Sequence, residues 1–170
     1  GNKGYVGTGS NNNVNTFYNH FYEFDPANGS TGAWTQKANY GGGTRTLAVG
    51  FALNGKGYIG TGYSGGSSSL STFWEYNPAT DTWSGNVSSL LPARSGAVAV
   101  ATSSAAYVGM GYATSISCTS PSCKLGDFWK FTPSSPSPTV TVTSTNINCN
   151  GQCTGTATAS VTSGTPPYTY

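Results

Sequence analysis

One histidine, His20, occurs in 170 residues. An imidazole acting as general base needs an orienting acid and a nucleophile within hydrogen-bond reach, and spacing suggests neither around His20. Glu23 and Glu75 are of the right type for paired acid/base work. They occupy the same slot of two related hexapeptides, FYEFDP (21–26) and FWEYNP (73–78), and Lys130 fills that slot in a third, FWKFTP (128–133). A slot that accepts either sign reads as a solvated strand face. The run NNNVN (11–15) offers amide oxygens but lacks the clustered carboxylates of a good calcium site. The string GTGYSG (60–65) has phosphate-loop spacing, yet no helix follows to present its N-terminus, so these read as loop glycines. No catalytic residue, metal or cofactor is expected. His20, Tyr63 and Tyr112 are suited to recognition instead. They lie in segments rich in Ser, Gly and Asn, where a ring can stack on a sugar or dock a partner.

Composition narrows the function classes. Only 7% of residues are charged, against about 25% in ordinary globular proteins. Aromatics reach 13%, which argues against a disordered chain. The formal charge is 7 − 5 = +2 and is scattered singly, without the Lys/Arg stripe that phosphate neutralisation needs, so nucleic acid is not an expected partner. No apolar run approaches the roughly 20 residues of a membrane helix. Four cysteines form two close pairs, Cys118/Cys123 and Cys149/Cys153. With one histidine, a mixed zinc site is poorly supplied. Of the three possible pairings, neighbour with neighbour is preferred, which implies an oxidising, extracellular setting.

The elements that must position these side chains repeat. GYVGTG (4–9), GYIGTG (57–62) and AYVGMG (106–111) precede the three hexapeptides, with Tyr5, Tyr58 and Tyr107 spaced 53 and 49 residues. Trp34 and Trp83 follow the first two copies, 49 residues apart, and Arg45 and Arg94 share that spacing. A period near 50 with several short strands per unit points to propeller blades. In the second unit RTLAVGFAL, KGYIGTG, TFWEYN and TWSGN read as four strands. Asn54-Gly55 is a hairpin turn and PATD a tight turn. The connections between second and third strands are long (10–20, 63–71 and 112–124) and must emerge at one end of the blades.

These residues resemble the kelch repeat over about residues 1–133. The resemblance implies that Tyr76 packs on Trp83 and Phe24 on Trp34, and that Arg45 and Arg94 tie neighbouring blades together. The glycine doublet of that family is here split, as Gly-Thr-Gly or Gly-Met-Gly. The third unit lacks a tryptophan strand and runs into PSSPSPT, a proline-rich spacer (linker 134–138), while the first begins at its second strand. Residues 1–133 are therefore expected to be the last three blades of a larger ring, the first and last incomplete. Some kelch propellers are copper oxidases resembling galactose oxidase. Their two histidines at the metal are not available here, so that reading survives only through upstream blades.

Residues 139–170 change texture. Val140 and Val142 alternate with Thr, as Ala157, Ala159 and Val161 do with polar residues, which reads as part of a half-exposed β-sandwich. CNGQCTGTATASVTSGTPPYTY looks like the SprB-type repeat of gliding-motility adhesins and other surface proteins of Bacteroidota, and implies a partial Ig-like sandwich. The whole is expected to be all-β: a partial kelch-like propeller and a truncated sandwich. The functional expectation is a non-enzymatic, secreted cell-surface adhesin or filament segment. It would bind a glycan or protein, or neighbouring copies, through the long loops. A purely structural stalk and a fragment of a secreted oxidase are the alternatives.

Overall fold

The structure is a computed structural model. It describes residues 2–11, 16–65, 68–85, 87, 91–113, 123–132, 140–145 and 155–161. The chain divides into two compact units, Gly1–Pro133 and Ser134–Tyr170. Among the described residues every regular element is a strand.

The described residues of the first unit form three antiparallel sheets in chain order. Blade 1 is β1 (Gly4–Gly7), β2 (Phe21–Asp25) and β3 (Ala33–Gln36). Blade 2 has four strands in sequential order, β4 (Val49–Leu53), β5 (Lys56–Gly60), β6 (Phe73–Asn77) and β7 (Thr82–Ser84). Blade 3 is β8 (Val98–Ala101), β9 (Ala106–Gly109) and β10 (Phe128–Phe131). The first two strands of blade 2 are shorter than their sequence segments because the chain takes positive φ at Leu47, before β4, and at Thr61 and Gly62, after β5. The turns follow local chemistry. Asn54 and Gly55 both have positive φ, 52° and 75°, as a tight β4–β5 hairpin requires. Asp25 and Asn77 each accept a backbone N–H two residues on, from Ala27 at 3.0 Å and Ala79 at 3.1 Å, which turns the chain at the following proline.

Strand register sets the core. Tyr58 pairs with Phe51 on one side and Glu75 on the other, and Gly60 lies opposite Phe73. A Cβ at Gly60 would stand 2.2 Å from the Phe73 ring, so the glycine lets that ring lie flat on the sheet. Val49, Leu53, Tyr58, Phe73, Ala106, Val108 and Phe131 form one buried cluster joining blades 2 and 3. Blades 1 and 2 meet over Phe21, Tyr76 and Trp83.

In the second unit the described residues form one antiparallel pair, β11 (Val140–Thr145) and β12 (Thr156–Val161), with Val140 opposite Val161. The alternation gathers Val140, Val142, Ala157, Ala159 and Val161 on one face. That face is exposed, or half-buried at Val161, where the sequence reading anticipated a half-buried sheet. Burial needs a second layer, and the described residues of this unit supply only one.

Candidate binding face and interblade cleft

The long connections leave each blade through one local device. After the second strand come Thr8-Gly9, Thr61-Gly62 and Met110-Gly111, all six residues at positive φ; Thr8, Thr61 and Met110 lie at 62°, 59° and 58°. A non-glycine residue is strained there, and the surroundings must hold it. At the second and third of these corners buried arginines do so. The Arg45 guanidinium donates to the carbonyls of Thr61 at 2.9 Å and Gly42 at 2.8 Å, and lies 4.7 Å from the centre of the Tyr40 ring. Arg94 donates to the Met110 carbonyl at 3.1 Å and grips both Asp127 carboxylate oxygens, at 2.7 and 2.9 Å. The main chains of both arginines face the preceding blade. Arg45 bonds Tyr18 and Gly9 of blade 1, and Arg94 bonds Leu70 and Gly62 of blade 2. Burial lowers the Arg45 pKa, and paired hydrogen bonds from Arg94, then one from Trp129, hold Asp127 well below the ordinary carboxylate range.

Beyond this device the loops are pinned within and across blades. Thr46 bridges Tyr63 and Tyr63 bridges Ser69 within blade 2, Tyr112 bridges both Ser95 and Lys124 within blade 3, and Leu70 bridges Arg94 from blade 2 to blade 3. Ser10 Oγ donates to Thr46 Oγ1 at 3.2 Å, and Ser69 Oγ to the Tyr112 carbonyl at 3.4 Å. Tyr63 and Tyr112 thus occupy equivalent places on successive blades. Tyr112 is 49% exposed, whereas the Tyr63 ring is half-buried edge-on to Phe17, 5.7 Å away. His20 is exposed and pairs with its own neighbours, stacked on Tyr18 at 5.5 Å and edge-on to Tyr22 at 6.5 Å. The structure therefore aligns the two tyrosines and places the histidine in a separate aromatic group.

Tyr76 and Trp83 are cross-strand partners with ring centres 5.0 Å apart, and the Trp83 indole donates to the Ala38 carbonyl of the preceding unit. Phe24 and Trp34 have the same relation at 5.0 Å, but Trp34 is 58% exposed. Cys123 is disulfide-bonded; Cys118, Cys149 and Cys153 lie outside the described residues.

The glutamate slot corrects the sequence reading. Glu23 is 9% exposed, not solvated. It accepts from Lys3 Nζ at 2.7 Å and from the Tyr5 hydroxyl at 2.6 Å. Glu75, half-buried, accepts from the Tyr58 hydroxyl at 2.7 Å. The signal was present in the sequence, because a tyrosine sits opposite the slot in each repeat. The Lys3 ammonium, then the Tyr5 hydroxyl, hold Glu23 below its usual range, so it is ionised at neutral pH. Burial and the Glu23 carboxylate push Tyr5 up to about 12. Lys3, Tyr5 and Glu23 lie along a cleft of about 860 Å³ between blades 1 and 2, walled by β1, β4 and β5 with Tyr76 and Trp83. Glu23, which lines it, is an ionised hydrogen-bond acceptor, chemistry that orients neighbours and does not deliver protons. No group of three or more metal-ligating side chains occurs among the described residues, and no helix there is long and apolar enough to cross a membrane.

No protein-family model matches this chain, and no curated protein matches it. Solved structures do. YjhT is 26% identical over 66% of this chain, with a TM-score of 0.56. A fungal alcohol oxidase of the AA5 family, solved in complex with copper, is 15% identical over 78% of this chain, with a TM-score of 0.57. The chain spans 32% and 28% of the lengths of those two proteins. The likeness shows the fold: all-β, with kelch-like blades of the propeller type.

Proposed function

We propose that this chain is a non-enzymatic binding segment of an extracellular or cell-surface protein, of adhesin or filament type, which recognises a glycan through the long-loop face of its blades. The observation that carries the reading is the lacing of that face. Loops of three successive blades are tied together by two buried arginines, the Leu70–Arg94 bridge and the Ser10–Thr46 and Ser69–Tyr112 hydrogen bonds, and they bear the exposed Tyr112 and His20. Rigid scaffolds with polar, aromatic-bearing loops are suited to recognition. The disulfide at Cys123 supports an oxidising compartment. A 15%-identical oxidase lends this chain a fold and no chemistry.

The test is attachment of the purified chain to a glycan array and to glycan-coated surfaces. His20→Ala with Tyr112→Ala should weaken retention at least about tenfold, on the order of one lost stacking contact. The thermal midpoint should hold, and salt should matter little because the loops offer few charges. Unchanged retention in the double variant, with loss on deleting 139–170, would move the adhesive role to the second unit. Retention on protein-coated surfaces alone would replace the glycan by a protein partner.

A further inference from the structure

The long connections leave their blades through the same short ladder, and its rungs carry different chemistry. Ser10 pairs with Phe17, Tyr63 with Ser69 and Tyr112 with Lys124. Phe17, Ser69 and Lys124 therefore hold one place in successive blades. Leu47 and Gly96 share another, each two residues after its blade's arginine and each at positive φ, 54° and 61°.

These two places decide how much of each tyrosine is bare. In blade 2 the Tyr63 ring meets Phe17 of the preceding blade and is half-buried. In blade 3 the place of Phe17 falls to Ser69, which brings a hydroxyl to the Tyr112 carbonyl where Phe17 brings a ring. The place of Leu47 falls to Gly96, and a Cβ there would stand 3.6 Å from the Tyr112 ring. Any side chain at Gly96 would start in contact with that ring, and glycine has none. Tyr112 is accordingly 49% exposed.

Lys124 stands beside it. The Ala113 N–H donates to the Cys123 carbonyl at 2.9 Å, and the Leu125 N–H to the Gly111 carbonyl at 2.8 Å. These bonds straddle the Tyr112–Lys124 rung and make it a non-hydrogen-bonded pair. In such pairs the side chains share a face and stand closest, with Cβ atoms about 5 Å apart. Lys124 is exposed. The ion pairs among the described residues take up Lys3, Lys37, Lys56 and Arg94, and Lys124 belongs to none of them.

We propose that Tyr112 and Lys124 form a subsite for a sugar that bears a carboxylate. The tyrosine ring packs on the C–H face of the sugar, and the Lys124 ammonium pairs with the carboxylate. The subsite rests on the glycan-binding reading of the loop face and narrows its ligand to an acidic glycan, held at blade 3. Blades 1 and 2 do not repeat the pair. Ser10 takes the tyrosine's place in one, and an uncharged serine faces Tyr63 in the other. A single exposed ion pair contributes little and leaves binding weakly dependent on salt, so the ring supplies affinity and the ammonium supplies choice.

The test titrates the full chain with acids and their uncharged methyl esters: trigalacturonic acid and sialyllactose, each against its ester. In at least one pair the acid should bind at least about threefold more tightly and shift the Tyr112 ring resonances. The responding pair tells a uronic from a sialic acid. Lys124→Gln should bring the ratio of acid to ester affinity to about one, and Lys124→Arg should preserve it. Equal affinities within both pairs, or a preference that survives Lys124→Gln, overturns the proposal. No binding by any probe at millimolar sugar overturns it as well. The glycan array then separates the two readings. Retention of neutral glycans there leaves the loop face a glycan site without the acid preference, and no retention of any glycan removes both.

Discussion

Among the described residues, blades 1 and 2 meet across an interface that keeps its outer ring and has no counterpart of the inner one. Trp83 and Tyr40 close the outside, where Trp83 lies within 5.0 Å of the Phe21, Tyr40 and Tyr76 ring centres, while Tyr5 meets Phe21 and Tyr76 but no ring in the place of Phe51. Blades 2 and 3 reverse this. Phe51 seals the inside, while blade 3 has no counterpart of Trp83 among the described residues, and Phe128 and Trp129 stand exposed. The same repeat thus uses two separable plugs, one from the first strand and one from the fourth. Each interface shows what the loss of one plug exposes.

The largest expected effect tests the common layer. Phe73 is fully buried under Phe51 and Phe131. Phe73→Ala should cost about 4 kcal/mol in urea denaturation, and its counterpart Phe21→Ala about 3, because the open cleft lets neighbours relax into the space. Equal losses would mean that the cleft is not open in solution.

Arg94 comes next. Arg94→Ala removes the cation that, among the described residues, pairs with Asp127, and should cost about 3 kcal/mol. The pairing also has a pH signature. Asp127 is depressed in the folded state, so its contribution is present above the unfolded carboxylate value, near pH 4, and is lost as pH falls further. Blade 3 should therefore loosen in acid by hydrogen exchange before blade 2, where Arg45 is met by carbonyls and a hydroxyl that do not titrate. Asp127→Asn should abolish that difference; a difference that persists would place the acid sensitivity elsewhere.

Phe51→Ala converts the sealed interface into the open kind. A loss of about 2 kcal/mol is expected, since Phe51 is partly exposed. Tyr58 should then become accessible to a small quencher, as Tyr5 already is; continued shielding would show that the first-strand plug is not what covers it. The smallest effect belongs to Trp34. Its ring is mostly exposed, and Trp34→Ala should cost under about 1 kcal/mol in the same denaturation series. A larger loss would reveal a cover over blade 1.

The repeat made much of this fold legible. Turn-forming pairs such as Asn54-Gly55 and the spacing of Tyr5, Tyr58 and Tyr107 are local signals, and strands and blades follow from them. The face bearing Tyr63 and Tyr112 was legible too, because alternate connections of an antiparallel blade leave at opposite ends. What the sequence hid depends on packing between repeats. Glu23 looks solvated when its slot is read along the strand, and buried once Lys3 and Tyr5 arrive from beside it. Tyr63 looks like a free ring until Phe17 of the preceding unit meets it. Trp34 and Trp83 hold one place in the motif, yet among the described residues Trp83 alone finds partners on its preceding side, at Ala38 and Tyr40.

The arginines give the array a direction. Each has its main chain bonded to the blade before and its guanidinium bonded to carbonyls of the blade it opens. In a chain that emerges from its amino end, the preceding blade can seat the arginine backbone before the next hairpin exists. The guanidinium then waits as a preset clasp for the left-handed corner at Thr61 or Met110. Assembly by this route is vectorial, each blade serving as the jig for its successor. Arg94→Ala should break that relay one way only, delaying protection of β8–β10 in pulse-labelled refolding while β4–β7 acquire theirs on schedule.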